Sequence, residues 1–245
     1  METVDALNWL KENNLYEEAK KASFYIKKIF PPCLGVKDEK ILIVGDTGAQ
    51  NRQVSAVLSG AYYLAALDLN LDTKLVFQAP KSRGDIADDD VVNNLEELKE
   101  GNVVILNMSD KLGNIKDLGK SFRRWVKKKQ HRFVSAMSLG DLETGKINAI
   151  VEAMDLSYKP FQAQHEKLKK LFDESEEIHI TTDAGTDLYY NIKGVNGISV
   201  DGNYSEKGTG GNLPAGEVYA PPNGKRIEGK VVIDGSSRVE WNNIN

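Results

Sequence analysis

Cysteine, histidine and long apolar runs are scarce in this chain of 245 residues, and each scarcity excludes something. Cys33 is the only cysteine, so no intrachain disulfide can form. It reads as a small apolar filler after Pro31-Pro32, with a nucleophile as the alternative. The three histidines, His131, His165 and His179, have no second histidine, cysteine or tight acid cluster at metal-ligand spacing. His165 falls on an apolar helical stripe, where a partly buried structural ring is expected. The longest mainly apolar run, Ala56 to Leu67, falls short of the ~20 residues a membrane span requires, and its pattern reads as amphipathic. Residues 1–20 are charged and amphipathic, unlike a signal peptide. These features together predict a cytoplasmic protein without a membrane anchor.

What is present is ordinary for a globular chain: 40% hydrophobic and 28% charged residues, with a net charge of -4. Acids and bases are mixed along the sequence, which argues against a dedicated nucleic-acid binder. The length suffices for one domain and part of another.

The apolar pattern alternates between two periods. Leu15, Ala19, Ala22, Ile26 and Ile29 draw a helical stripe that Pro31-Pro32 is expected to end. Short buried-strand runs follow at Ile41–Val44, Lys74–Phe77, Val103–Leu106 and Arg132–Ser135. Helical spacing lies between them, at Val54 to Ala65, Val91 to Leu98, and Ile115, Leu118, Phe122 and Trp125. Strands alternating with helices of this length imply right-handed crossovers, hence an α/β fold with an open, mostly parallel sheet and helices on both faces. Two further helices fit Asp141 to Asp173, with Phe161, His165, Leu168 and Phe172 sharing a face. Then the character changes. Ile178 to Thr181, Thr186 to Ile192 and Val231 to Ile233 read as strands, separated by a Gly/Asn-rich stretch from Gly194 to Asn212. The expected organisation is an N-terminal α/β domain over 1–174 and the start of a β-rich domain over 175–245.

Gly45-Asp46-Thr47-Gly48 sits where a strand hands over to a helix, a place where open sheets bind phosphates. Neither a dinucleotide fingerprint nor a P-loop lysine accompanies it, so the glycines can equally serve the turn. Arg123, Arg124, Lys127, Lys128, Lys129 and Arg132 form a basic cluster at a helix end, where cations complement the helix dipole on a solvated face. No interleaved aromatics point to nucleic acid. A segment richer in information is Gly210-Gly211-Asn212-Leu213-Pro214-Ala215-Gly216-Glu217-Val218-Tyr219-Ala220-Pro221-Pro222. Glycine and proline shape its backbone around one acid, Glu217. An exposed loop acid is the plain alternative.

The stretch Asn212 to Pro221 resembles the motif of the thermophilic metallo-aminopeptidases of the aminopeptidase T and aminopeptidase S type. Ile178 to Leu188 is similar to that family's strand and Gly-Thr-Asp turn, and Val231-Val232-Ile233-Asp234-Gly235 fits a later strand. The resemblance implies a two-domain exopeptidase, usually a homodimer, that uses two divalent ions (zinc, cobalt or manganese) to remove N-terminal residues from peptides. It implies that Glu217 is a metal ligand. It also places the family's remaining ligands downstream of this motif, whereas here only Glu228, Asp234 and Glu240 follow and no histidine does. The expectation is therefore the front part of such an enzyme, inactive alone, or a relative without catalysis. Related folds include iron-dependent ring-cleaving dioxygenases. Readings from other classes are a non-catalytic small-ligand module using Gly45 to Gly48, and a dimerisation scaffold.

Overall fold

The computed structural model describes residues 1–119, 121–224 and 227–235. In chain order the strands are β1 (Ile41–Asp46), β2 (Thr73–Gln78), β3 (Val103–Asn107), β4 (Arg132–Ala136), β5 (Glu177–Thr181), β6 (Asp187–Asn191), β7 (Ile198–Val200), β8 (Gly210–Asn212), β9 (Glu217–Tyr219) and β10 (Ile227–Lys230). The α-helices are α1 (Thr3–Glu12), α2 (Tyr16–Ile26), α3 (Val54–Asp68), α4 (Asp89–Glu97), α5 (Phe122–Lys128), α6 (Ile147–Met154) and α7 (Tyr158–Glu174). Two compact units result: residues 1–162 with 202–216, and residues 163–201 with the described residues from 217 onward.

The first unit is built on a five-stranded sheet in the order β2-β1-β3-β4-β8. All of its pairings are parallel. The four strand runs expected from the sequence are its first four strands, each displaced by two residues at most. Successive strand residues face opposite ways. Ile41, Ile43, Leu75, Phe77, Val103 and Ile105 join one core with α1, α2, α3 and α6. Leu42, Val44, Val76, Val104 and Leu106 join a second core with α4 and α5. Both faces are thus covered, which explains why these strands read as unbroken apolar runs.

Several local expectations change. The helix from Tyr16 does not end at the prolines: it tightens at Lys27–Ile29 and widens into one π-turn over Phe30–Leu34. Pro31 and Pro32 are the second and third residues of that turn. Gly35 closes it in the left-handed conformation, with φ 56°. The apolar stretch from Ala56 is not amphipathic in place, because α3 lies between the sheet and α2 and buries nearly every residue to Ala66. Gly60 lets α3 pack closely on α1 and α2, since a Cβ there would lie 2.7 Å from Leu10 Cδ1 and 3.2 Å from Ala19 Cβ. The helix expected through Ile115 and Trp125 splits into a 3-10 turn, Lys116–Leu118, and α5, with Gly119 at φ 138° following the turn.

The second unit carries the antiparallel sheet β10-β6-β5 and the antiparallel pair β7-β9. The hairpin around Asp183-Ala184-Gly185 is as expected. Val231 to Ile233, however, is not a strand; the strand falls earlier, at Ile227–Lys230. Val232 is instead tied to Thr186, whose Oγ1 accepts from its N–H at 3.0 Å.

Candidate functional site

Open parallel sheets bind ligands outside the carboxyl ends of their strands, where the strand order reverses. Here that point lies between β1 and β3, because β2 pairs on the other edge of β1. Asp46, fully buried, ends β1 there. Its carboxylate accepts from Ser109 N–H at 2.7 Å, from Ser109 Oγ–H, and from Gly48 N–H at 3.1 Å. Burial pushes the Asp46 carboxyl above its ordinary range, and these donors only partly offset that. The loop's own amides are also spent. Asp46 N–H donates to Ser55 Oγ at 3.1 Å and Thr47 N–H to Gln78 O at 3.1 Å. Gly48 takes φ 64°, and a Cβ would sit 2.2 Å from Arg52 O, so the turn requires glycine. The Gly45 to Gly48 loop therefore serves the turn and offers no phosphate cradle.

The basic cluster keeps Arg123, Arg124, Lys127 and Lys128 exposed on α5, the solvated face expected, and only Arg132 leaves it. Arg132 goes inward and binds Glu39 and the carbonyls of Leu34 and Gly35. Burial acts to raise the Glu39 carboxyl, but the Lys37 N–H and the guanidinium outweigh it and hold it low. Arg123 lies over the Phe133 ring at 5.2 Å, and Lys129 pairs with Glu100 at 3.8 Å. His131 is fully buried, and among the described residues neither ring nitrogen has a hydrogen-bond partner. Its ring packs 4.7 Å from that of Trp125, whose Nε1 is likewise unsatisfied. Burial lowers the His131 pKa. Cys33 is fully buried in the π-turn, without the access a reactive thiolate needs.

The glycine pair before Glu217 has a packing role the sequence did not disclose. A Cβ at Gly210 would meet Phe133 Cδ1 at 2.1 Å, and one at Gly211 would meet Tyr204 Oη at 2.5 Å. Only glycine lets β8 pair with β4 so closely. After the Leu213-Pro214 peptide, which is cis, Gly216 adopts φ 157°.

In the second unit, β9 pairs with β7 so that Glu217 stands opposite Val200 and Val218 opposite Ser199. His165 Nδ1 lies 3.4 Å from Ser199 Oγ. Because strand side chains alternate, His165 approaches the Ser199 and Val218 face while Glu217 occupies the other. Glu217 is exposed, and among the described residues its carboxylate makes no hydrogen bond or ion pair. His179 belongs to the other sheet, with Nε2 2.7 Å from Asp187 Oδ1 and its ring stacked on Tyr189 at 3.8 Å. Glu228 pairs across from Tyr189 and helps line a groove of about 510 Å³ with Glu177. The sequence placed β5 and β6 as strands but did not pair His179 with Tyr189, and it named Glu228 without placing it on a strand, because it put the last strand at Val231. Among the described residues, no three His, Cys, Asp or Glu side chains come together as a metal site. Asp234 lies within the described residues and Glu240 outside them.

The fold thus comprises an open parallel α/β unit and a β-rich unit in which Glu217, exposed at the start of β9, makes no hydrogen bond or ion pair among the described residues. The sequence model of the NicX family, 2,5-dihydroxypyridine 5,6-dioxygenase, matches residues 148–238, a span that includes Glu217. The structure of a 2,5-dihydroxypyridine dioxygenase from Pseudomonas putida is similar over 86% of this chain, with TM-score 0.59 and 14% identity, which shows a shared fold. AmpT from Thermus thermophilus aligns over 86% of the chain at 15% identity, with TM-score 0.47. This chain spans 58% of the first of those proteins and 63% of the second. No curated protein matches it. Among the described residues, no helix is long and apolar enough to cross a membrane.

Proposed function

We propose that this chain supplies Glu217 to the divalent-metal site of a cytoplasmic, homodimeric enzyme that removes N-terminal amino acids from peptides. The observation carrying the metal part is the state of Glu217: exposed at the start of β9, directly after a glycine- and proline-shaped turn, and uncommitted to any partner among the described residues. A ligand acid needs such placement, because its aim sets where the ion sits. One carboxylate does not make a two-metal centre, and the described residues gather no further donors around it. The proposal therefore requires ligands from sequence beyond these residues. Zinc, cobalt or manganese would suit a carboxylate-containing set, and such ions activate water and polarise a carbonyl.

The peptidase chemistry rests on the resemblance of Asn212 to Pro221. A second reading, ring cleavage by an iron-dependent dioxygenase, is favoured by the family match over 148–238. The test is to express the whole reading frame that contains this sequence. It is assayed with a peptide panel plus zinc, cobalt or manganese, and with 2,5-dihydroxypyridine plus ferrous iron and oxygen. Release of N-terminal residues supports the first reading, and oxygen-dependent ring cleavage replaces it with the second. Absence of both activities would leave a non-catalytic ligand-binding or dimerisation module.

A further inference from the structure

We propose that the first unit binds a small zwitterion of the α-amino-acid type in a polar cleft of about 540 Å³ lined by Gln50, Asn51, Arg52, Glu143, Thr144 and Gly145. The volume falls in the range of small-molecule sites. Its walls come from the connection after β1 and the segment after β4, both at the carboxyl end of the parallel sheet, where such folds bind ligands.

The walls are fixed to one another. Thr144 N–H donates to Asn51 O at 2.8 Å, and Thr144 Oγ1 accepts from Gln53 N–H at 2.9 Å. Arg52 Nη1 donates to Gly140 O at 3.0 Å, which orients the guanidinium while leaving further N–H donors. Arg52 and Glu143 carry opposite charges, yet neither side chain is in an ion pair among the described residues. A cleft offering one cation and one anion, neither in an ion pair among the described residues, suits a ligand that is itself dipolar. A phosphate dianion would be repelled by Glu143, and a simple cation by Arg52. The ligand's carboxylate would take the guanidinium, its ammonium would take Glu143, and the amides and hydroxyl would satisfy the rest. None of the lining side chains is a large apolar one, so the ligand's own side chain is small or polar.

This inference is independent of Glu217. It is tested by calorimetric titration of the 245-residue chain with glycine, L-serine and L-glutamine. N-acetylserine, serinamide and inorganic phosphate serve as probes lacking one charge or carrying only anionic charge. Saturable binding of at least one amino acid is expected. Loss of either ligand charge should weaken it about tenfold or more, the scale of one charge-assisted hydrogen bond. Glu143→Gln and Arg52→Gln should do likewise. Glu143 is exposed and its carboxylate makes no hydrogen bond or ion pair among the described residues, so Glu143→Gln keeps the test valid if Arg52→Gln fails to fold. No saturation by any of the three, tighter binding of phosphate, or binding indifferent to Glu143→Gln would overturn the proposal.

Discussion

His131 shows how one residue can set the acid stability of the first unit. Among the described residues its buried ring has no hydrogen-bond partner, and burial lowers its pKa in the folded chain, with the nearby Asn102 backbone only partly offsetting this. As pH falls below the ordinary value of 6.5, the unfolded chain therefore takes up the proton first. Stability from this group is full above that value and is lost as pH falls toward the depressed folded value. Asp46 works in the opposite sense. Its raised pKa makes the folded chain the better proton acceptor, so its burial penalty is complete above the folded value and relieved below it. His131→Phe keeps an aromatic ring against Trp125 and removes the titration. Urea unfolding should show this variant losing less stability than wild type between pH 7 and pH 5. Equal pH slopes for the two proteins would mean that His131 is hydrated in solution and does not control the acid limb.

At the scale of elements, the strands of the parallel sheet were legible because burial on both faces leaves a continuous apolar run bounded by turn residues. Ile41 to Val44 and Val103 to Leu106 need no long-range information to be read. β8 was not legible, since its residues are Gly210, Gly211 and Asn212, and no strand preference exists in that composition. What makes it a strand is its fit against Phe133 and Tyr204, a contact between distant parts of the sequence. The same reasoning explains β10, placed at Ile227 and not at the more apolar Val231 because pairing with β6 decides it. Of the site candidates, Glu217 was proposed from a local motif, whereas the inward turn of Arg132 and the Arg52 and Glu143 cleft depend on the fold. Gly210→Ala tests the β8 packing. Its Cβ would overlap Phe133, so the variant should lose about 1–3 kcal/mol of stability, the usual scale of overpacking. A chemical-denaturation midpoint unchanged from wild type would contradict that close approach.

On the scale of the whole molecule, the central claim is that a shaped segment presents Glu217 to a metal ion. The described residues contribute one carboxylate and no cluster of donors around it. A metal role for Glu217 would therefore need ligands outside them, and it rests on the sequence pattern alone. The most direct measurement is metal content by elemental analysis of the purified product of the whole reading frame, wild type against Glu217→Gln. The substitution is nearly isosteric and removes only the charge. Circular dichroism should remain that of wild type, while bound zinc, cobalt or manganese falls about tenfold or more, at least the loss caused by disturbing an outer-shell partner. Undiminished metal content in a folded Glu217→Gln protein would contradict the account and leave Glu217 an exposed loop acid.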